Sequence, residues 1–176
     1  MATLSSNVGS VPWLREFLTC GIVDLGSSDL RLDGIFAPEN DANAERVGIT
    51  DQFLANAEKY DETYSNTAHF KHLFEEAFRS VRYSPGSAAT ILDIGCGSGA
   101  NSVVPCLQLF PGCRVVASDL SPDLLRLFRA YLRSENLEDR VACFCADAMN
   151  DYFQAERFDV VVGAASCTTS WIRSAR

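Results

Sequence analysis

Apolar residues change their spacing along this chain at Thr90. From there on they fall in runs of strand length: TILDI (90–94), RVVAS (114–118), VACFCA (141–146) and FDVVVG (158–163). These runs are almost wholly apolar, as parallel strands covered on both faces require. Between them lie stretches with helical spacing, at 98–110, 121–137 and, shorter, 148–156. The middle stretch is the clearest, with Ser121 placed to cap, Pro122 at the first position and Asp123 in the first turn. Leu124, Leu125, Phe128, Tyr131 and Leu132 then form one stripe. Strand and helix in alternation predict an α/β fold, a doubly wound and mostly parallel sheet, whose ligands bind at the C-terminal ends of the strands.

Upstream the pattern differs. Phe53, Leu54 and Ala57, followed by Tyr60 and Tyr64, carry helical spacing. So do Phe70, Leu73, Phe74, Ala77, Phe78 and Val81 in a second helix over 66–81, before the loop YSPGSAA. Tyr60 and Tyr64 are expected in the core rather than over a ligand, and Asp61 and Glu62 on a solvated face. Residues 1–50 give little: VPWLREFL predicts a short helix with Pro12 in its first turn, and the following residues mix short apolar runs with turn formers. The chain thus divides into an extension over 1–85, mostly helical from residue 50, an α/β unit over 86–165, and a tail over 166–176. Residues 1–50 are expected to cover the substrate side.

Composition narrows the function. With 176 residues, 47% of them hydrophobic, the chain has enough material for one real core. Lys and Arg number 15 against 23 Asp and Glu, a net charge of -8, which argues against a nucleic-acid or anionic-membrane partner. No apolar run approaches the ~20 residues of a membrane span, and the first residues lack a signal-peptide pattern, so a cytoplasmic protein is expected. None of the seven cysteines forms a C-x-x-C pair. Cys143 and Cys145 share one face of a strand with no histidine nearby to complete a zinc shell, so no metal site is expected. His69 and His72, the two histidines, lie on a helix far upstream, which leaves no evident partner for a thiol nucleophile.

The chemistry concentrates in ILDIGCGSGA, residues 91–100. A strand runs into Gly95, Gly97 and Gly99 just ahead of a helix, so backbone N–H groups and a positive helix end face the ligand side. The turn fits a dinucleotide fingerprint loosely, with Asp119 twenty residues after Gly99 as the ribose ligand. Asp93, two positions before the first glycine, separates the readings. It would repel a pyrophosphate and favour a cationic ligand.

With this order of motifs the sequence resembles the class I S-adenosylmethionine-dependent methyltransferases, whose fold is Rossmann-like. ILDIGCGSG matches the family's D-x-G-x-G-x-G turn at every fixed position; VVASDLSP supplies Asp119 after the second strand, CADAMN supplies Asp147 after the third, and FDVVVG is the fourth strand. NAEKYDETYS is loosely like the helical lead-in of many members. The resemblance implies S-adenosyl-L-methionine as cofactor and a small-molecule methyl acceptor. Gly95, Cys96, Gly97 and Gly99 would let the backbone approach the methionine part of the cofactor, and Asp93 would favour its amino group. Asp119 would accept from the ribose hydroxyls, Asp147 from the adenine amino group with the Ala148 N–H aimed at the ring, and Leu120 and Met149 would sandwich the adenine. Asp119 and Asp147 could also serve only as strand ends and caps, and Asp159 is read as structural. No catalytic residue is named, because methyl transfer needs positioning more than covalent help.

The family's sheet has seven strands, and here the sequence stops soon after the fourth. Missing strands would leave the apolar edge of FDVVV open. Read one base earlier, the codons of Ser166 to Arg176 force an aspartate across Trp171 and Ile172, within a segment like that following strand four in many members. A frameshift near Ala165 and a truncated domain, inactive if its sheet cannot close, are therefore expected. The alternatives are a non-catalytic S-adenosylmethionine-binding fragment and an NAD-dependent oxidoreductase, the latter disfavoured by Asp93. Oligomeric state is left open by the sequence.

Overall fold

The four apolar runs after Thr90 form the centre of a seven-stranded sheet. The computed structural model describes residues 11–40, 56–80, 88–164 and 170–173. Strands β3 (Thr90–Ile94), β4 (Arg114–Asp119), β5 (Val141–Cys145) and β6 (Val160–Ala164) pair in parallel, with β4 and β6 on either side of β3 and β5 beyond β4. The chain therefore winds outward from β3 in one direction and returns to its other side for β6. That reversal creates a switch point at the C-terminal end of β3, where such sheets hold ligands.

Alternation along the central strands feeds two cores. Ile91, Val115, Ala117, Cys143, Cys145 and Val162 face one side; Leu92, Val116, Ala142 and Phe144 face the other. The first side is covered by α2 (Thr67–Ser80) through Phe74 and Phe78, α3 (Val103–Leu109) through Val103 and Leu107, and α4 (Pro122–Ser134) through Leu125, Phe128 and Leu132. Helix α4 starts as its sequence predicts: the Ser121 side chain accepts from the Leu124 N–H at 3.2 Å, with Pro122 at the first position. Its expected stripe is buried except for Tyr131, which is exposed. Helix α3 is shorter than 98–110, because residues before it stay in the turns that shape the glycine segment.

Residues 11–40, whose local pattern is weak, extend the sheet and cover one of its faces. A 3₁₀ turn over Pro12–Phe17 lays Trp13, Leu14 and Phe17 on the second sheet face, with Phe17 against Phe158 at 5.0 Å between ring centroids. Strands β1 (Ile22–Asp24) and β2 (Ile35–Pro38) extend the sheet, β2 lying parallel to β5 and β1 antiparallel at the edge; with β7 (Ser170–Arg173) at the other edge the order is β1-β2-β5-β4-β3-β6-β7. The extension is thus a sheet edge and a core cover as well as helices. Helix α1 (Ala57–Tyr64) precedes α2, the two broken at Ser65 and Asn66, where the Asn66 side chain accepts from the His69 N–H at 3.1 Å. On α2, Leu73 is exposed rather than part of the stripe. Phe53, Leu54 and Val81 lie outside the described residues.

Two expectations are corrected. Residues 148–156 form no helix. Their backbone pairs instead with the N-terminal segment: Phe153 bridges Leu18, the Thr19 N–H donates to the Tyr152 carbonyl at 2.9 Å, and the Gln154 N–H to that of Phe17 at 2.9 Å. Because residues 11–18 already cover this sheet face, Tyr152 and Phe153 pack on Phe144 without helical structure. Nor is β6 left open. Strand β7 (Ser170–Arg173) pairs with it antiparallel, Val162 opposite Ile172 and Gly163 opposite Trp171. The five intervening residues, 165–169, suffice for an antiparallel return but not for a parallel crossover.

Candidate functional site

The site is built from the end of β3 upward. Gly95, Gly97 and Gly99 have φ of 75°, 56° and 74°, a left-handed backbone that side chains disfavour. The Gly95 and Cys96 N–H groups donate to the Ser118 carbonyl at 2.8 and 3.0 Å, which turns the chain across the end of β4. The Gly97 N–H donates to Asp119 Oδ2 at 2.7 Å, and the Ser121 N–H to Asp119 Oδ1 at 2.8 Å. Asp119 thus both braces the turn and starts α4. Its carboxylate keeps accepting capacity for a ligand hydroxyl.

The glycines have separate tasks. A Cβ on Gly97 would meet nothing within 4 Å, so open space lies above it. A Cβ on Gly99 would lie 2.4 Å from Phe128 Cε2, so this glycine serves the close packing of the turn on α4. Asp93 is 1% exposed; the Ser102 hydroxyl donates to its Oδ2, and its Oδ1 has no hydrogen-bond partner. Burial, with the Asp119 charge adding to it, pushes the Asp93 carboxyl up to about 7 against the Ser102 bond that opposes it. Burial also raises Asp119, against the N–H groups of Ser121, Gly97 and Leu120 that favour its charge. Burial raises the thiols as well, Cys143 to about 12, so these cysteines stay protonated near neutral pH.

The loop after β5 reaches the same end of the sheet, since the Ala146 N–H donates to the Asp119 carbonyl at 3.1 Å. There Asp147 Oδ1 accepts from the Met149 N–H at 2.9 Å, an Asx turn rather than a helix cap. Ala148 and Met149 are exposed, Met149 by 90%, and Leu120 is half-buried. The structure therefore joins Asp119 directly to the glycine turn, with Asp93, held by Ser102, two residues before it on β3 and 147–149 as a neighbouring open loop. Asp159 lies at the opposite end, its carboxylate accepting from the Thr90 N–H at 2.8 Å and hydroxyl at 2.9 Å, a structural role.

Three polar residues escaped the sequence reading. Ser102 holds Asp93 from nine positions downstream, a pairing no local motif announces. Asp61 is half-buried, not solvated: it accepts from the hydroxyls of Ser98 in the turn and Ser65. Tyr64, expected in the core, is 60% exposed, its ring 4.8 Å from that of Tyr60. Among the described residues no three His, Cys, Asp or Glu side chains cluster as a metal site would need, and no helix is long and apolar enough to cross a membrane.

An acid-braced glycine turn at the switch point of a parallel sheet is the arrangement of a domain that binds a nucleoside-containing cofactor, and the comparisons narrow the kind. Residues 91–175 match the family model described as a methyltransferase domain. A demethylmenaquinone methyltransferase of Porphyromonas gingivalis is 29% identical over 90 residues, 51% of this chain and 36% of that protein. The methyltransferase GfsG of Streptomyces halstedii is 33% identical over 89 residues, 51% of this chain and 31% of that protein. Among solved structures, phosphoethanolamine N-methyltransferase 2 of Haemonchus contortus, in complex with phosphomonomethylethanolamine and S-adenosylhomocysteine, superposes with a TM-score of 0.52 at 21% identity, covering 65% of this chain and 26% of that one. Over residues 91–175 the chain carries a methyltransferase domain, similar to those of the class I S-adenosylmethionine-dependent methyltransferases. It spans about a third of the length of the curated relatives it matches.

Proposed function

We propose that this chain binds S-adenosyl-L-methionine over the glycine turn and serves methyl transfer to a small molecule. The observation that carries the reading is the pair of acids, buried Asp93 and half-buried Asp119, around a turn with open space above Gly97. Carboxylates so placed oppose a pyrophosphate and suit a cationic cofactor with a ribose. The residues present fit that group. Asp93 has one unpartnered oxygen for a cationic centre, direct or through water; Asp119 has spare lone pairs for ribose hydroxyls; Leu120 and the 147–149 loop border the space for a base.

When bound, the cofactor supplies an electrophilic methyl group on a sulfonium. The chain's own work is to bind and orient it. Gly97 admits the ligand close to backbone, Asp119 fixes the turn and the ribose together, and Asp93 supplies negative charge from beneath. The acceptor is taken to be a small molecule, as for the demethylmenaquinone and phosphoethanolamine methyltransferases named above, and would approach from the open end of β6, where a Cβ on Gly163 would also meet nothing within 4 Å. None of the six described cysteines forms a disulfide, which suits a reducing compartment such as the cytoplasm.

Calorimetric titration with S-adenosylhomocysteine, with NAD in parallel, tests the reading. Saturable binding of S-adenosylhomocysteine alone is expected. Binding of NAD alone would replace the proposal with the oxidoreductase reading, and binding of neither would remove it.

A further inference from the structure

We propose that Asp61 is a positioning residue for the glycine turn, holding it through Ser98 so that cofactor affinity depends on helix α1. The inference rests on the cofactor reading above.

Ser98 stands between two glycines with left-handed backbone, at φ 56° and 74°, and carries the one side chain within 97–99. Gly97 is held by Asp119, and Gly99 by its N–H to the Cys96 carbonyl at 2.9 Å and by the approach of Phe128. Ser98 is held from outside, its hydroxyl donating to Asp61 Oδ1. The same oxygen accepts from Ser65 at the end of α1, so one carboxylate clamps the turn to the helix. Neighbouring bonds keep the clamp in register: the Asn101 amide donates to the Tyr64 carbonyl at 2.9 Å, the Asn66 N–H to Asn101 Oδ1 at 2.7 Å, and the Thr67 hydroxyl to the Ala100 carbonyl at 2.8 Å.

Apolar packing does little of this. Ala57 is the buried residue of α1, and a cleft of about 230 Å³, bordered by Asp61, Ser98, Val104, Leu127 and Tyr131, lies where a packed interface would be. Polar bonds, with the Glu58–Arg126 ion pair at 2.7 Å toward the start of α1, therefore carry the docking. Releasing Ser98 frees a glycine-flanked segment that must be ordered again when a ligand binds, which lowers affinity.

The test is calorimetry of the full chain with S-adenosylhomocysteine, using the unsubstituted protein, Asp61→Ala, Asp61→Asn, Ser98→Ala and the Asp61→Ala/Ser98→Ala pair. Asp61→Ala and Ser98→Ala are each expected to weaken binding about five- to tenfold. The double variant should be no weaker than either single one, and Asp61→Asn, which keeps an accepting oxygen, should restore near-normal binding. Bound S-adenosylhomocysteine should also slow amide exchange in α1 of the unsubstituted chain but not of Asp61→Ala. An Asp61→Ala affinity within about twofold of normal, or losses that simply add, overturns the inference while leaving the cofactor reading intact. An unsubstituted chain that binds no S-adenosylhomocysteine removes both.

Discussion

Asp93 lies where a charge is costly: 1% exposed, one oxygen on Ser102, the other without a partner. Its carboxyl moves from 3.8 to about 7 on folding, so between those pH values the unfolded chain has lost a proton that the folded chain keeps. Unfolding then releases a proton, and stability falls as pH rises from about 4 to about 7, by at most about 4 kcal/mol. Asp93→Asn keeps an acceptor for Ser102 and should abolish that slope, leaving the variant at least as stable as the unsubstituted chain at pH 8. Unfolding midpoints at pH 5, 6, 7 and 8 check this, and equal slopes in both proteins would refute it. The ammonium group of S-adenosylhomocysteine favours the charged form of Asp93, so its affinity should rise with pH across the upper half of the same window.

At the scale of elements, the glycine turn joins β3 to α3 and rests on α4, and its glycines answer to different neighbours. Ala at 99 would combine a left-handed backbone with overlap against the Phe128 ring and should cost about 2–5 kcal/mol in folding. Ala at 97 meets open space and should cost only about 1–2 kcal/mol, while its methyl stands where the ligand would lie and should weaken S-adenosylhomocysteine binding more than about tenfold. Denaturant unfolding of Gly97→Ala and Gly99→Ala beside their titrations separates the effects; equal stability losses would refute the division of roles. The motif marked all three positions as glycine, but a one-dimensional pattern does not say that Phe128, twenty-nine residues on, is why the last has no side chain. Helix α4 was readable because its cap, proline and apolar stripe are local; the helix expected over 148–156 was not formed, because its backbone partners come from residues 17–19.

For the whole molecule, the second sheet face depends on residues near the start of the chain. Phe17 packs on Trp13 and Phe158, and Phe153 on Phe158 and Phe144. Phe17→Ala should cost about 3–5 kcal/mol, seen as an earlier unfolding transition, with exposed apolar surface reported by a hydrophobic dye. An unchanged midpoint would mean that the N-terminal cover contributes little. The segment was hard to read because a 3₁₀ turn and strands of three and four residues are too short to show a period, and their burial is set by a surface formed more than a hundred residues later. The sequence by itself determined the parallel core, its order of motifs and the acids and glycines of the turn, since periodicity, caps and glycine requirements are local properties of the chain. Only the tertiary structure decided that residues 11–40 close one edge and one face of the sheet, that β7 returns antiparallel along β6, and that Ser102 and Asp61 hold Asp93 and Ser98. Each of these joins groups distant in sequence, and burial and hydrogen-bond satisfaction act on spatial neighbours.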